Sequence, residues 1–161
     1  MSTTPTPWLI TPATLGEAQT LARFNCLLAF ETEDIHLDEA PVLAGVTNGF
    51  GKGPEVRYLV AREAQSSPPL GQLMLTREWS DWRDGWVWWI QSVYVDKSHR
   101  RRGIMRALFG KVMDMAGDPS GDGGAVLVRL YVEEHNHKAQ AFYGQIGMAN
   151  EGYQVWAWKP R

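Results

Sequence analysis

The chain has little cysteine, no long apolar stretch and almost no net charge, and each shortage removes a class of protein. Cys26 is the single cysteine, which excludes an intramolecular disulfide framework and fits a reducing compartment. The longest aromatic-apolar run, Trp86 to Ile90, is far short of the roughly 20 residues needed to span a bilayer. Met1 to Pro7 has neither the basic start nor the apolar stretch of a secretory leader, so a cytoplasmic location is expected. Lysine and arginine number 16 against 18 aspartates and glutamates, a formal charge of −2. That balance argues against a general nucleic-acid or anionic-membrane binder. The 161 residues suit one domain over 1–161, with 1–7 as a loose lead-in, because a chain of this size buries roughly 70% of its unfolded surface. Tryptophan is what the chain has in excess. There are 8, and Trp79, Trp82, Trp86, Trp88 and Trp89 fall close together.

Periodicity supplies the element order. Trp8-Leu9-Ile10 reads as a short strand ended by Pro12. Leu15, Ala18, Ala22, Cys26 and Ala29 recur at helical steps up to about Glu31. A second helix is expected from Asp38, with Pro41 in its first turn, ending in the glycines from Gly49 to Gly53. Val56 to Val60 and Gly71 to Thr76 alternate as a hairpin pair, and a loop from Arg77 to Gly85 precedes a long strand from Trp86 to Val95. A helix from about Gly103 to Ala116, a strand from Ala125 to Val132 with both faces buried, and an Asn136-capped helix closed by Gly147 follow. Tyr153 to Trp158 alternates as a final strand. The sum is a mixed α/β (α+β) sheet.

The chemistry concentrates in Gln91 to Leu108. A strand ends at Val95, and Arg100, Arg101, Arg102 and Gly103 open a helix. Unsatisfied N–H groups and the dipole at a helix start favour an anion, and several arginines there suit phosphate or pyrophosphate. A solvated basic turn is the plainer alternative for the arginines alone. The segment Arg100-x-x-Gly103-x-Met105, after Val93-Tyr94-Val95 and before Ala107-Leu108, resembles the acetyl-coenzyme A signature of the GNAT N-acetyltransferase superfamily. Downstream, Asn136-x-x-Ala139-x-x-Phe142-Tyr143 followed by Gly147-Met148 resembles that family's other block.

The resemblance implies a sheet of about 6–7 strands with about four helices, splayed where two parallel strands, ending near Val95 and Val132, admit the pantetheine arm. It implies acetyl-coenzyme A as co-substrate and no metal. Arg100, Arg101, Arg102, Gly103, Ile104, Met105 and Arg106 would wrap the pyrophosphate. The edge of Val93, Tyr94 and Val95 would pair with the pantetheine, and an N–H near Val93 or Tyr94 would meet the oxyanion. Asn136 and Ala139 would lie along the same cofactor. Tyr143 would donate to the departing thiolate as general acid, with an ordinary core aromatic as the alternative. Met105 replaces the family's small residue, so its side chain must turn away from the phosphates.

A carboxylate that some relatives carry two residues before Val93 is replaced here by Gln91, next to Ser92, so the base lies elsewhere or is water. Glu31 and Glu33 are the candidates, ahead of Asp34, Glu78, Asp81 and Asp84. Trp79, Asp81, Trp82 and Gln91 are the candidate acceptor contacts, since an aromatic wall attracts a cationic amine; a homodimer interface competes for the tryptophans. His135 and His137 lack zinc-like company, and Gly49 to Gly53 lacks the P-loop spacing. The expected activity is acetyl transfer to a primary amine of a small molecule or peptide by direct attack. Two rivals are a catalytically weak coenzyme A-binding sensor or scaffold, and a nucleic-acid module built on Arg100 to Arg102.

Overall fold

In a computed structural model the described residues are 8–121 and 123–160, so the expected lead-in at 1–7 lies outside them. The chain divides into two units, Met1–Leu130 and Tyr131–Arg161.

The first unit is built on five strands in the order β1-β2-β3-β4-β5: β1 Leu9–Pro12, β2 Val56–Arg62, β3 Gly71–Ser80, β4 Gly85–Val95 and β5 Leu127–Leu130. The first four pair antiparallel and β5 joins β4 in parallel. Helices α1 (Ala18–Glu33) and α2 (Glu39–Phe50) follow β1, and α3 (Ile104–Ala116) carries the chain from β4 to β5. Asp38 caps α2, accepting from the Ala40 amide at 3.2 Å, and Pro41 sits in the first turn, where no N–H is missed. One sheet face is packed by Ala18, Leu21, Ala22 and Val46 of these two helices against Tyr58 and Val60. In α3, the buried residues are Ile104, Leu108, Phe109 and Val112, at the i, i+4, i+5, i+8 spacing of a core-facing stripe.

The second unit contains α4, His137–Gln145. Asn136 caps it, accepting from the Ala139 amide at 3.1 Å. Gly147 at φ 91° ends it: the Gly147 amide reaches the Gly144 carbonyl at 3.1 Å and Met148 reaches Tyr143 at 3.0 Å. That pair of bonds is a Schellman motif, which needs a left-handed residue where glycine stands.

Three expectations change. The sheet has five strands among the described residues, not six or seven, because Tyr153 to Trp158 forms no ladder. The predicted loop from Arg77 is strand as far as Ser80, since the ladder continues through Glu78↔Val87, Trp79↔Trp86 and Ser80↔Gly85. β5 is shorter than predicted and only half-buried along its length, as befits the last strand of the sheet.

Candidate active site

β3 and β4 do not pair evenly. Met74 lies opposite Ser92 and Leu75 opposite Ile90, so Gln91 is an extra residue on β4, a β-bulge. The parallel pairing of β4 with β5 runs from Val87↔Leu127 to Ile90↔Leu130 and stops there. From Gln91 to Val95 the strand therefore has β3 on one side and, among the described residues, no ladder partner on the other. A bulge at the end of a pairing is a device that re-aims a strand beside a functional site. The parallel pairing thus ends at Ile90, directly before the bulge at Gln91. Gln91 is exposed, and its Nε2 donates to Thr76 Oγ1 at 2.7 Å.

The two faces of this open segment differ. Tyr94 packs its ring on Phe24 of α1, centroids 5.2 Å apart. Ser92, and Gln72 opposite Tyr94, alternate onto that same α1 face. Gln72 Nε2 donates to Asn25 Oδ1 at 2.6 Å, while the buried Gln72 Oε1 and Ser92 Oγ have no hydrogen-bond partner among the described residues. Val95 lies opposite Gly71, where a Cβ would stand 3.2 Å from Ile104 Cγ2 of α3. Val93 and Val95 thus face α3 and the apolar core, and the α1 face is the polar one.

Past Val95 the chain turns through Asp96, whose Oδ1 accepts from the Ser98 amide at 3.0 Å. Hydrogen bonds from Ser98, first by its side chain, outweigh burial and hold the Asp96 carboxyl below its ordinary range. Arg101 then adopts φ 61° and Gly103 φ 82°. Left-handed residues interspersed in a turn point successive N–H groups inward, a concavity that binds anions; α3 begins immediately after it and adds its own unsatisfied N–H groups. A non-glycine residue in this conformation costs about 1 kcal/mol and persists where surroundings enforce it. Here Trp8 Nε1 donates to the Arg102 carbonyl at 2.8 Å, and the Arg102 guanidinium lies over the Trp8 ring, 4.8 Å from its centroid. Ile104 is buried, Met105 half-buried, and Arg101, Arg102 and Arg106 exposed. The loop residues expected around a pyrophosphate thus follow directly on β4, and two of them, Arg101 and Gly103, hold left-handed backbone.

Two roles shift. Arg100 Nε donates to the Val95 carbonyl at 3.0 Å and its guanidinium pairs with Glu31, so this arginine is turned back onto the strand. Glu31 also accepts from Tyr94 Oη at 2.9 Å. Burial works to raise the Glu31 carboxyl, but hydrogen bonds from Arg100 and Tyr94 outweigh it and hold it below its ordinary range. Glu31 is thus held in its charged form by these two partners. Glu33, the last residue of α1, is exposed.

Trp79, Asp81 and Trp82 are not brought to this end. They belong to the β3–β4 hairpin, where Trp79 meets Trp86 edge-on at 5.1 Å and Trp82 is 89% exposed. From Trp86 to Val93 the strand rises about 23 Å at roughly 3.3 Å per residue. In the second unit, Ala139 and Tyr143 share α4 behind its Asn136 cap. Burial pushes the Tyr143 phenol up, so it is protonated at neutral pH. Glu133, Glu134 and His135 bring donor atoms within 4.8 Å of one another, all on exposed side chains. Sequence reasoning missed Gln72 and Asn25, which carry no motif and meet only through the fold. No described helix is long and apolar enough to cross a membrane.

Known proteins share this fold. Residues 21–148 match the acetyltransferase (GNAT) family. A possible acetyltransferase from Clostridium difficile 630 is 36% identical, with 96% of this chain and 98% of that one aligned at a TM-score of 0.85. A transcriptional regulator from Bacillus halodurans C-125 shares the fold at 20% identity, with 94% and 99% aligned and a TM-score of 0.76. Ribosomal-protein-alanine N-acetyltransferase from Brucella melitensis biovar Abortus 2308 does so at 17% identity, with 96% and 99% aligned and a TM-score of 0.73. With its bulged central strand and anion-shaped loop, the chain belongs to the GNAT acetyltransferase family.

Proposed function

We propose that this acetyltransferase uses acetyl-coenzyme A and moves the acetyl group to a primary amine by direct attack. The observation that carries the proposal is the bulge at Gln91, which leaves the Gln91–Val95 edge unpaired beside the turn at Arg101 and Gly103. An unpaired edge offers N–H and C=O groups to the two amides of the pantetheine arm as an added strand would. The turn then takes the pyrophosphate, with charge from Arg101, Arg102 and Arg106. This places the thioester carbonyl by the edge, where an N–H of Val93 or Tyr94 stabilises the oxyanion that amine attack creates.

As the tetrahedral intermediate collapses, the thiolate leaves. Tyr143, buried enough to stay protonated, serves as the donor to it. The amine must lose its proton to attack. With Glu31 committed to Tyr94 and Arg100, Glu33 or water takes that proton. The unpartnered oxygens of Gln72 and Ser92 give the α1 face hydrogen-bonding capacity that suits a hydrated acceptor path. A cytoplasmic location and a small-molecule or peptide acceptor belong to the same proposal.

The test is thiol release from acetyl-coenzyme A across a panel of primary amines, small and peptidic. Turnover is expected with some, and Tyr143→Phe should lower kcat by about 10²-fold or more with acetyl-coenzyme A affinity within about threefold of wild type. Unchanged kcat would remove Tyr143 from the chemistry. Binding of acetyl-coenzyme A with no turnover on any amine would replace the enzyme by a coenzyme A sensor.

A further inference from the structure

Helix α1 ends in Glu31, Thr32 and Glu33. A carboxylate in the last turn of a helix faces the negative end of the dipole, so position 31 is a poor place for a glutamate on local grounds. Its compensation is long-range. One oxygen accepts from Tyr94 Oη at 2.9 Å and the other pairs with Arg100. The same arginine holds the Val95 carbonyl at 3.0 Å, and its guanidinium lies 5.3 Å from the Tyr94 ring centroid. Tyr94 is 4% exposed and rests on Phe24, one element with Glu31. A closed ring of contacts thus joins the end of α1, the open part of β4 and the first residue of the anion-shaped turn.

This ring goes beyond what anchoring the helix requires. Phe24 on Tyr94 and Asn25 with Gln72 already tie α1 to the sheet. The Glu31 contacts instead bear on Tyr94, whose backbone belongs to the unpaired edge, and on Arg100, which would otherwise project its charge from the turn. Lys97 and Asp96 are the further charged groups acting on Glu31 and Tyr94 respectively.

We propose that Glu31 is a positioning residue for acetyl transfer: by holding Tyr94 and Arg100 together it fixes the spacing between the thioester-binding strand edge and the phosphate-binding turn. The inference rests on the acetyl-coenzyme A reading given above. A pantetheine arm and a pyrophosphate are joined covalently, so two sites that bind them act well only at one separation. Removing the clamp should therefore weaken coenzyme binding and misplace the thioester together.

The experiment compares wild type, Glu31→Ala, Glu31→Gln and Tyr94→Phe by steady-state kinetics over pH, with circular dichroism to confirm folding. Glu31→Ala should raise KM for acetyl-coenzyme A and lower kcat, each by about tenfold, since small misplacements of reacting groups are costly. Glu31→Gln keeps the length, its amide oxygen still accepting from Arg100 and its amide N–H donating to Tyr94 Oη, so it should recover most of both, and the acid limb of the kcat profile should stay where it is. Tyr94→Phe loses only the hydroxyl and should raise the same KM severalfold; it carries the test if Glu31→Ala fails to fold. A spectroscopic signature accompanies these effects. Burial first, then the hydrogen bond to Glu31, push the Tyr94 phenol up to about 12. The highest tyrosinate transition near 295 nm should therefore fall in Glu31→Ala and vanish in Tyr94→Phe. Wild-type kinetics in a folded Glu31→Ala would overturn the inference alone. Glu31→Gln as damaged as Glu31→Ala, with the acid limb gone, would restore Glu31 as a base. A wild-type protein that neither binds nor turns over acetyl-coenzyme A would remove the parent reading, and this inference with it.

Discussion

Strand β4 has two ends built on the same ingredients to different effect. At the hairpin end, Arg77 covers Trp86 at 4.1 Å and Trp89 Nε1 donates to Glu78 at 3.2 Å. At the other end Arg100 covers Tyr94 and Tyr94 donates to Glu31. Each end thus brings aromatic rings to both an arginine and a carboxylate, two different rings at the hairpin end and one ring at the other. The hairpin end keeps an unbroken antiparallel ladder through Ser80↔Gly85. The other end has the bulge, the unpaired edge and the left-handed turn. The aromatic-rich end therefore has its backbone hydrogen bonds taken up by the ladder, whereas the interrupted end does not, and only an unpaired backbone has hydrogen bonds left to offer a ligand.

Deleting Gln91 tests that distinction most severely. Ile90 and Ser92 already face opposite sides, as their partners Leu75 and Met74 do. Removal of Gln91 alone thus leaves a regular ladder with every other side chain on its present face. The fold should survive with a thermal midpoint close to wild type. Acetyl-coenzyme A-dependent thiol release should fall by at least about 10²-fold, because the edge loses its bend and the reacting groups their placement. A folded deletion variant with full activity would show that the bulge is incidental.

The reciprocal experiment is Gly85→Ala at the hairpin end. A Cβ there would stand 2.3 Å from Val126 Cγ1, and a valine, stiff at χ1, yields only by moving the strand entrance that carries it. Overpacking of this kind costs roughly 1–3 kcal/mol, and the half-exposed Val126 puts the expected loss near the lower bound. A thermal midpoint lower by about 2–4 °C, with KM for acetyl-coenzyme A and kcat within about twofold, would separate the stability of one end from the chemistry of the other.

The two ends were also unequally legible in the sequence. Asn136 and Gly147 could be assigned as caps because a cap is a local bargain between one residue and a few backbone groups. The turn at Arg100 to Gly103 was legible for the same reason. Gln91 gave no such sign: its bulge arises from the register of β3 against β4, which no single strand encodes. The Glu31 contacts join residues 63 and 69 positions apart, so the glutamate reads as a solvated helix end until the fold is known. Trp79 was assigned to a loop because Ser80, Asp81 and Asp84 crowd around it, yet the ladder extends to Ser80 and only 81–84 turn. Tyr153 to Trp158 alternates as a strand should, but alternation selects a face and cannot supply a neighbour.

Acid pH should act on the active end of β4 by a smaller amount. Glu31 and Asp96 both sit below their ordinary range. Their contribution is present above the unfolded carboxylate values and is lost as pH falls through the lowered folded ones, below about 4. The thermal midpoint should hold from neutrality to that point on their account and then decline. Asp96→Asn should flatten part of the decline. A decline of unchanged depth in Asp96→Asn would show that the turn carries no share of it.

The smallest effect is expected from the most conspicuous residue. Trp82 is 89% exposed in the hairpin turn, so Trp82→Ala should move stability by less than about 0.5 kcal/mol, as exposed substitutions do. Trp86, where β4 leaves that turn, lies about 23 Å, at roughly 3.3 Å per residue, from Val93 on the edge that would hold the thioester, a span no small amine bridges. Turnover and KM for a small primary amine should therefore match wild type. Two outcomes remain informative. A raised KM confined to peptide acceptors would make the hairpin a remote contact for a long substrate, restoring the aromatic wall in another form. A fall in molecular mass by light scattering, at unchanged kinetics, would make Trp82 an interface residue of a homodimer, the use that its apolar ring and distance from the edge favour.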